Sequence, residues 1–240
     1  MKNYWQFIPS GLGKHDSEEL LKLSDKDFIE LWDRAAESRF NQAEMDAIRT
    51  VSALTPTVLT TRHHRLMISI GSGMGFHEMT FARLQWDVQY YDIVESNLKV
   101  IRRIAELKNQ PNIYHVRWAW IVERPLKYDL IWLWGSLHHM TKIDQVYTLG
   151  TMQRELRSGG HMVIMSYTWD YARRILNIER KEQFDPVAFG RLSDPVVGDE
   201  VCPYADWHDA ASLHAMLPGM TLKHTEIFNN GDFAWYLFQS

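Results

Sequence analysis

Three glycines at alternating positions, Gly71, Gly73 and Gly75, follow the apolar run Leu66-Met-Ile-Ser-Ile and precede Phe76 to Leu84, a stretch suited to a helix. Glycine tolerates positive φ and, lacking Cβ, lets a ligand or a second backbone come close. A strand-to-helix turn on an open α/β sheet is where such folds bind ligands. The spacing differs from the dinucleotide fingerprint, whose third glycine would fall at Phe76. A bare turn is the plain alternative. Asp92 ends the next apolar run, 21 residues after Gly71. There it is placed to accept both hydroxyls of a ribose, or else to cap the following helix.

Two further groups carry proton-transfer and binding chemistry. His138 and His139 follow the apolar segment Leu130-Ile-Trp-Leu-Trp134, where a histidine can take a proton from an acceptor hydroxyl near neutral pH. The alternative is that the pair only starts the next helix. Tyr204, Asp206, Trp207 and His208 form a polar and aromatic cluster suited to binding an acceptor, or a loop packed on a sheet edge. No metal site is expected, because His63-His64 and His138-His139 are adjacent rather than four apart on one helical face.

These residues need elements to hold them. Residues 1–60 read as helical: a helix from Ser17, a second capped by Ser24 with Asp27, and a third from Asn41 to Leu54, ending near Pro56. This segment serves as a cover or a lid. From Arg65 strands and helices alternate, the mark of a parallel sheet covered by helices. Strands are expected to end at Ile70 and Asp92 and to span Asn112 to Trp118, Asp129 to Trp134 and His161 to Met165. Residues 169–207, with Asp185-Pro186, Gly190, Asp194-Pro195 and Gly198, read as an irregular insertion. After a helix from Asp209 to Leu217, two strands flanking Asn230-Gly231 read as a hairpin. The expected architecture is a Rossmann-like α/β domain over residues 61–240, its parallel sheet ending in an antiparallel pair.

Composition excludes several classes. A net charge of -4 without a basic block gives no footprint for nucleic acid. Cys202 is the single cysteine, so no intrachain disulfide can form. No run reaches the 18 apolar residues of a membrane span, and Met1 to Ile8 lacks a signal-like core, so a cytoplasmic location is expected. The oligomeric state is not legible.

In four ordered pieces the chain resembles the class I S-adenosylmethionine-dependent methyltransferases. They are Ile68-Ser-Ile-Gly71-Ser-Gly73-Met-Gly75, Tyr91-Asp92 with Leu98, Tyr128-Asp129-Leu-Ile-Trp-Leu-Trp-Gly135-Ser-Leu-His138-His139, and Leu156-Arg-Ser-Gly159-Gly160-His-Met-Val-Ile. The resemblance implies a three-layer α/β/α sandwich on a seven-stranded sheet. It also implies S-adenosyl-L-methionine as methyl donor and a small-molecule acceptor; with no Asn-Pro-Pro-Tyr run for amide or base nitrogens, oxygen is the expected methylated atom, and a sugar or glycan-precursor hydroxyl is the first class to try. The implied donor site comprises Ser69, Gly71, Ser72, Gly73, Gly75, Asp92, Ile93, Trp118, Ala119 and Trp134. His138 and His139 would be catalytic, and Tyr204, Trp207 and His208 would bind the acceptor. Two positions depart from the family. Ser69 stands where an acid usually helps hold the methionine end, and Trp118-Ala119 where an acid often meets the adenine. These departures motivate the rival reading, a non-catalytic module that binds a nucleoside-like ligand or a protein partner.

Overall fold

The computed structural model describes residues 17–39, 41–54, 65–123, 127–193 and 202–240. The expectations on residues 1–16, Pro56, His63-His64 and residues 194–201 lie outside these. The chain divides into two compact units, Met1–Glu123 and Arg124–Ser240.

The first unit begins with α1 (Ser17–Lys22), α2 (Asp25–Arg39) and α3 (Gln42–Leu54). Alternation follows with β1 (Arg65–Ile70), α4 (Phe76–Arg83), β2 (Trp86–Tyr91), α5 (Glu95–Leu107), β3 (Ile113–His115) and α6 (Trp118–Glu123). The Ser24 hydroxyl accepts from the Asp27 amide at 3.2 Å and donates to its carboxylate at 2.7 Å, fixing the start of α2. Leu20, Phe28 and Trp32 bury themselves against Val100 and Ile104 of α5. Arg103 of α5 donates to the Leu20, Leu21 and Leu23 carbonyls and to Asp25, which satisfies the orphan carbonyls at the end of α1. The Trp32 indole donates to the Met74 carbonyl at 3.0 Å, and its ring lies 5.0 Å from Phe76. Helix α2 is thereby docked on the glycine loop.

The second unit contains β4 (Tyr128–Trp134), a 3-10 turn at Leu137–His139, α7 (Lys142–Glu155), β5 (Leu156–Tyr167), α8 (Trp169–Leu176), α9 (Pro186–Ser193), α10 (Ala210–Met216), β6 (Thr221–Phe228) and β7 (Phe233–Gln239). Seven strands form the sheet in the order β3-β2-β1-β4-β5-β7-β6. Strand β2 pairs parallel with β1 and β3, and β4 with β5, whereas β7 runs antiparallel to both β5 and β6. This is the expected α/β sandwich with its antiparallel end.

Three expectations on the elements need correction. The third strand stops at His115, and Trp118 opens a helix instead of ending a strand. The fifth strand begins at Leu156, and its pairing with β4 jumps from Tyr128↔Leu156 to Leu130↔His161. Gly159, at φ 77°, lets the bulge between those pairs turn. The segment 169–193 is largely helical. Thr168 caps α8 by accepting from the Tyr171 amide at 3.1 Å. Asp185 accepts from the Val187 and Ala188 amides at 2.8 and 3.2 Å, with Pro186 as the first helical residue of α9. Asp185-Pro186 is thus a helix start rather than a break, since proline fits the first turn where its missing N–H costs nothing.

Candidate functional site

In the first unit the site is built around the loop between β1 and α4. Gly71, Gly73 and Gly75 all have positive φ, at 76°, 56° and 80°. A Cβ on Gly75 would stand 2.8 Å from the Ile101 side chain, so α5 packs directly on that glycine. A Cβ on Gly73 would meet nothing within 4 Å, so the loop is open there. The loop is pinned to the end of β2, with the Gly71 and Ser72 amides donating to the Tyr91 carbonyl at 2.8 and 3.3 Å. The Gly73 amide donates to Asp92 Oδ2 at 2.8 Å, and the Gly75 amide to the Ser72 carbonyl at 3.1 Å. These four amides are therefore already engaged by the protein.

Asp92 sits just past β2, buried, and its other oxygen accepts from the Val94 amide at 2.8 Å. Burial pushes its carboxyl up, against the Val94 and Gly73 amides and the Asn97 side chain, which favour the ionised form. These contacts hold the carboxylate in one orientation against the end of the glycine loop. Ile93 follows, 42% exposed although apolar. The Trp118 ring, half-buried, lies 5.5 Å from that of Tyr91. These are flat or apolar surfaces of the kind a purine covers. Ala119 is exposed at the start of α6.

Ser69 is buried near the end of β1. Its polar neighbour is one that the sequence pattern hides: Glu78, in the first turn of α4 and wholly buried. An acid there reads as complementing the helix dipole. However, Phe76, His77, Met79, Phe81 and Ala82 are buried as well, so this short helix gives Glu78 no solvent face. Burial pushes its carboxyl up, opposed by His77 and by the Ser69 hydroxyl.

The second unit carries the other residues. Trp134 is buried in a stack, 5.0 Å from Trp132 and 6.1 Å from Phe228. His138 is 2% exposed, its ring 4.4 Å from Tyr167 and 4.1 Å from His139. Burial, then His139 and His208, hold its imidazole well below the ordinary value. His139 is half-buried, and its Nδ1 lies 3.3 Å from the Tyr204 carbonyl. The same Nδ1 lies 3.7 Å from Cys202 Sγ, so this side of the ring is turned to the protein.

Asp206 organises the chain that follows. Its amide donates to the His138 carbonyl at 2.7 Å, and its Oδ2 accepts from Lys142 at 2.8 Å and Gln145 at 3.1 Å. Tyr204 also donates to it, at 3.5 Å; burial, with Asp206 adding to it, pushes that phenol up to about 12. His208 is fully buried, its Nδ1 2.7 Å from Ser166 Oγ and its Nε2 3.0 Å from Gln145 Oε1. Both ring nitrogens are committed to the protein. Trp207 is half-buried, 5.0 Å from Trp169, with Lys181 Nζ 4.4 Å above its ring. Among the described residues no three His, Cys, Asp or Glu side chains are grouped to hold a metal ion, and no helix is long and apolar enough to cross a membrane.

Burial lowers the His208 pKa from 6.5 to about 4. The folded chain then binds fewer protons than the unfolded one between these values. The stability from His208 is therefore full above about pH 6.5 and lost as pH falls toward 4, worth roughly 3 kcal/mol. Urea unfolding at stepped pH should show the wild type losing ground to His208→Gln across that range. Parallel curves for the two proteins would contradict a buried neutral imidazole.

No protein-family model and no curated protein matches the sequence. Solved structures match it in fold. The CcbJ methyltransferase from Streptomyces caelestis aligns with a TM-score of 0.60 and 16% identity over 81% of this chain and 88% of its own. The N-methyltransferase NodS from Bradyrhizobium japonicum WM9, in complex with S-adenosyl-L-homocysteine, aligns at 0.54 and 15% over 93% of this chain and 96% of its own. The fold is that of the class I methyltransferases. The [4+2]-cyclase SpnF shares it, at 0.59 and 12% over 83% of this chain and 81% of its own. A fold of this kind positions a site without choosing its reaction.

Proposed function

We propose that this chain is an S-adenosyl-L-methionine-dependent methyltransferase acting on a small-molecule acceptor. The observation that carries the reading is Asp92, held by the Gly73 and Val94 amides beside a loop whose glycines all have positive φ. Asp92 would accept the ribose hydroxyls, Ile93 and Trp118 would flank the adenine, and the open face at Gly73 would let the donor approach the backbone. The donor supplies an electrophilic methyl group, so the protein's task is largely positioning. We place the acceptor contacts in the second unit, at the half-buried rings of Trp207 and Trp169 with Lys181, and assign His208 and Asp206 the role of holding that segment. Trp134 is given a packing role.

We favour an oxygen acceptor because His139, half-buried and with its Nδ1 side turned to the protein, suits proton removal at Nε2. His138, buried and held far below the ordinary value, is a weaker base. Turnover followed by S-adenosylhomocysteine release over a panel beginning with sugar hydroxyls tests this. His139→Ala should lower kcat at least about tenfold near neutral pH, while His138→Ala should act through stability. If neither variant lowers turnover, both histidines are structural. A chain that binds the donor yet turns over no acceptor favours the non-catalytic module.

A further inference from the structure

The four loop amides at Gly71, Ser72, Gly73 and Gly75 are spent within the protein, and the Met74 carbonyl is taken by Trp32. The ammonium of an amino-acid tail only donates, so its partner is a carbonyl or a carboxylate and none of those amides. In the family that the chain resembles, an acid at the position of Ser69 provides it, and a serine hydroxyl carries no charge to replace it. One carboxylate lies next to that serine. Glu78 comes three residues after the last loop glycine, is wholly buried, and has no hydrogen bond of normal geometry to either carboxyl oxygen. The Ser69 hydroxyl, on β1, lies toward it without completing such a bond, while His77 acts to lower its pKa and Asp92 to raise it.

A buried carboxylate with neither oxygen satisfied costs several kcal/mol unless something pairs with it. His77, its neighbour in the chain, also faces Glu44 of α3, at 3.4 Å. Glu78 is thus a buried acid without a hydrogen bond of normal geometry at either oxygen, next to Ser69 of β1 and three residues past the glycine loop. We propose that Glu78 supplies the acid missing at Ser69 and pairs with the ammonium of the donor's methionine tail. The inference rests on the donor-site reading and adds to it the displacement of the acid by nine positions, from strand to helix. The Ser69 hydroxyl then orients the carboxylate, and a cationic ligand offsets the cost of its burial.

The test compares S-adenosylhomocysteine, which has the ammonium, with 5′-methylthioadenosine, which keeps the nucleoside and lacks the amino acid. Titration calorimetry on Glu78→Gln should show at least about tenfold weaker binding of the first and binding of the second within about twofold of wild type. The double variant Ser69→Asp/Glu78→Gln, which returns the charge to the strand, should recover most of the lost affinity. Thermal melts of the free proteins verify that each variant is folded. Unchanged S-adenosylhomocysteine affinity in folded Glu78→Gln overturns the proposal, as does an equal loss of both ligands, which would make Glu78 a support of the nucleoside site. If wild type binds neither ligand, the donor-site reading itself fails and the proposal with it.

Discussion

Asp92→Ala should weaken S-adenosylhomocysteine binding by about 1.5 to 3 kcal/mol, the range for hydrogen bonds to a charged group, or about 10- to 150-fold. The carboxylate does two jobs. It accepts from Gly73 and Val94 at 2.8 Å each, which fixes the loop against the end of β2, and in the proposed donor site it would also meet the ribose hydroxyls. Alanine leaves both amides without their acceptor, so some loss of stability accompanies the loss of affinity. It also removes a buried charge whose carboxyl burial pushes up, and this offsets part of that cost. Affinity should thus suffer more than stability. Calorimetry and a denaturant midpoint on the same preparation separate the two, and wild-type affinity in folded Asp92→Ala would remove the residue from the site.

Gly75→Ala should destabilise the fold by roughly 2 to 4 kcal/mol. Left-handed backbone costs a residue with Cβ about 1 to 2 kcal/mol, and overpacking a core adds about 1 to 3. Both apply at Gly75, with φ 80° and a Cβ position 2.8 Å from Ile101 Cγ1 and 3.2 Å from Cγ2. Ile101 is β-branched and helical, so its χ1 has little freedom to give way. Ile101→Ala should therefore cost less in the Gly75→Ala background than alone, a favourable coupling in the double-mutant cycle. Additive effects would mean that the two residues do not press on each other. Gly73 is the internal control, because a Cβ there has no neighbour within 4 Å and only the backbone term applies.

Much of this site is legible in the sequence, for a physical reason. Positive φ at a strand-to-helix turn nearly demands glycine, so Gly71, Gly73 and Gly75 announce their own geometry. An acid at the end of the neighbouring strand follows from the β1–β2 register, in which Ile70 faces Tyr91. What the sequence hides depends on packing. Glu78 reads as an ordinary first-turn acid until α4 is seen to be buried nearly all round. The partners of His208, Ser166 and Gln145, lie 42 and 63 residues away in the chain, so no local pattern reveals them. Asp185-Pro186 is a helix start spelled with the same letters as a break, and only the Val187 and Ala188 amides tell them apart. Trp118 continues an apolar run on paper yet begins a helix after a three-residue strand.

The central claim is that the loop from Gly71 to Gly75, with Asp92, holds a nucleoside methyl donor. Its most direct test is a calorimetric titration of the wild-type chain with S-adenosylmethionine and S-adenosylhomocysteine. Saturable binding of both, weakened in Asp92→Ala, is the result expected. No heat of binding from either ligand at about millimolar concentration, where a dissociation constant corresponds to only about 4 kcal/mol of affinity, would contradict it.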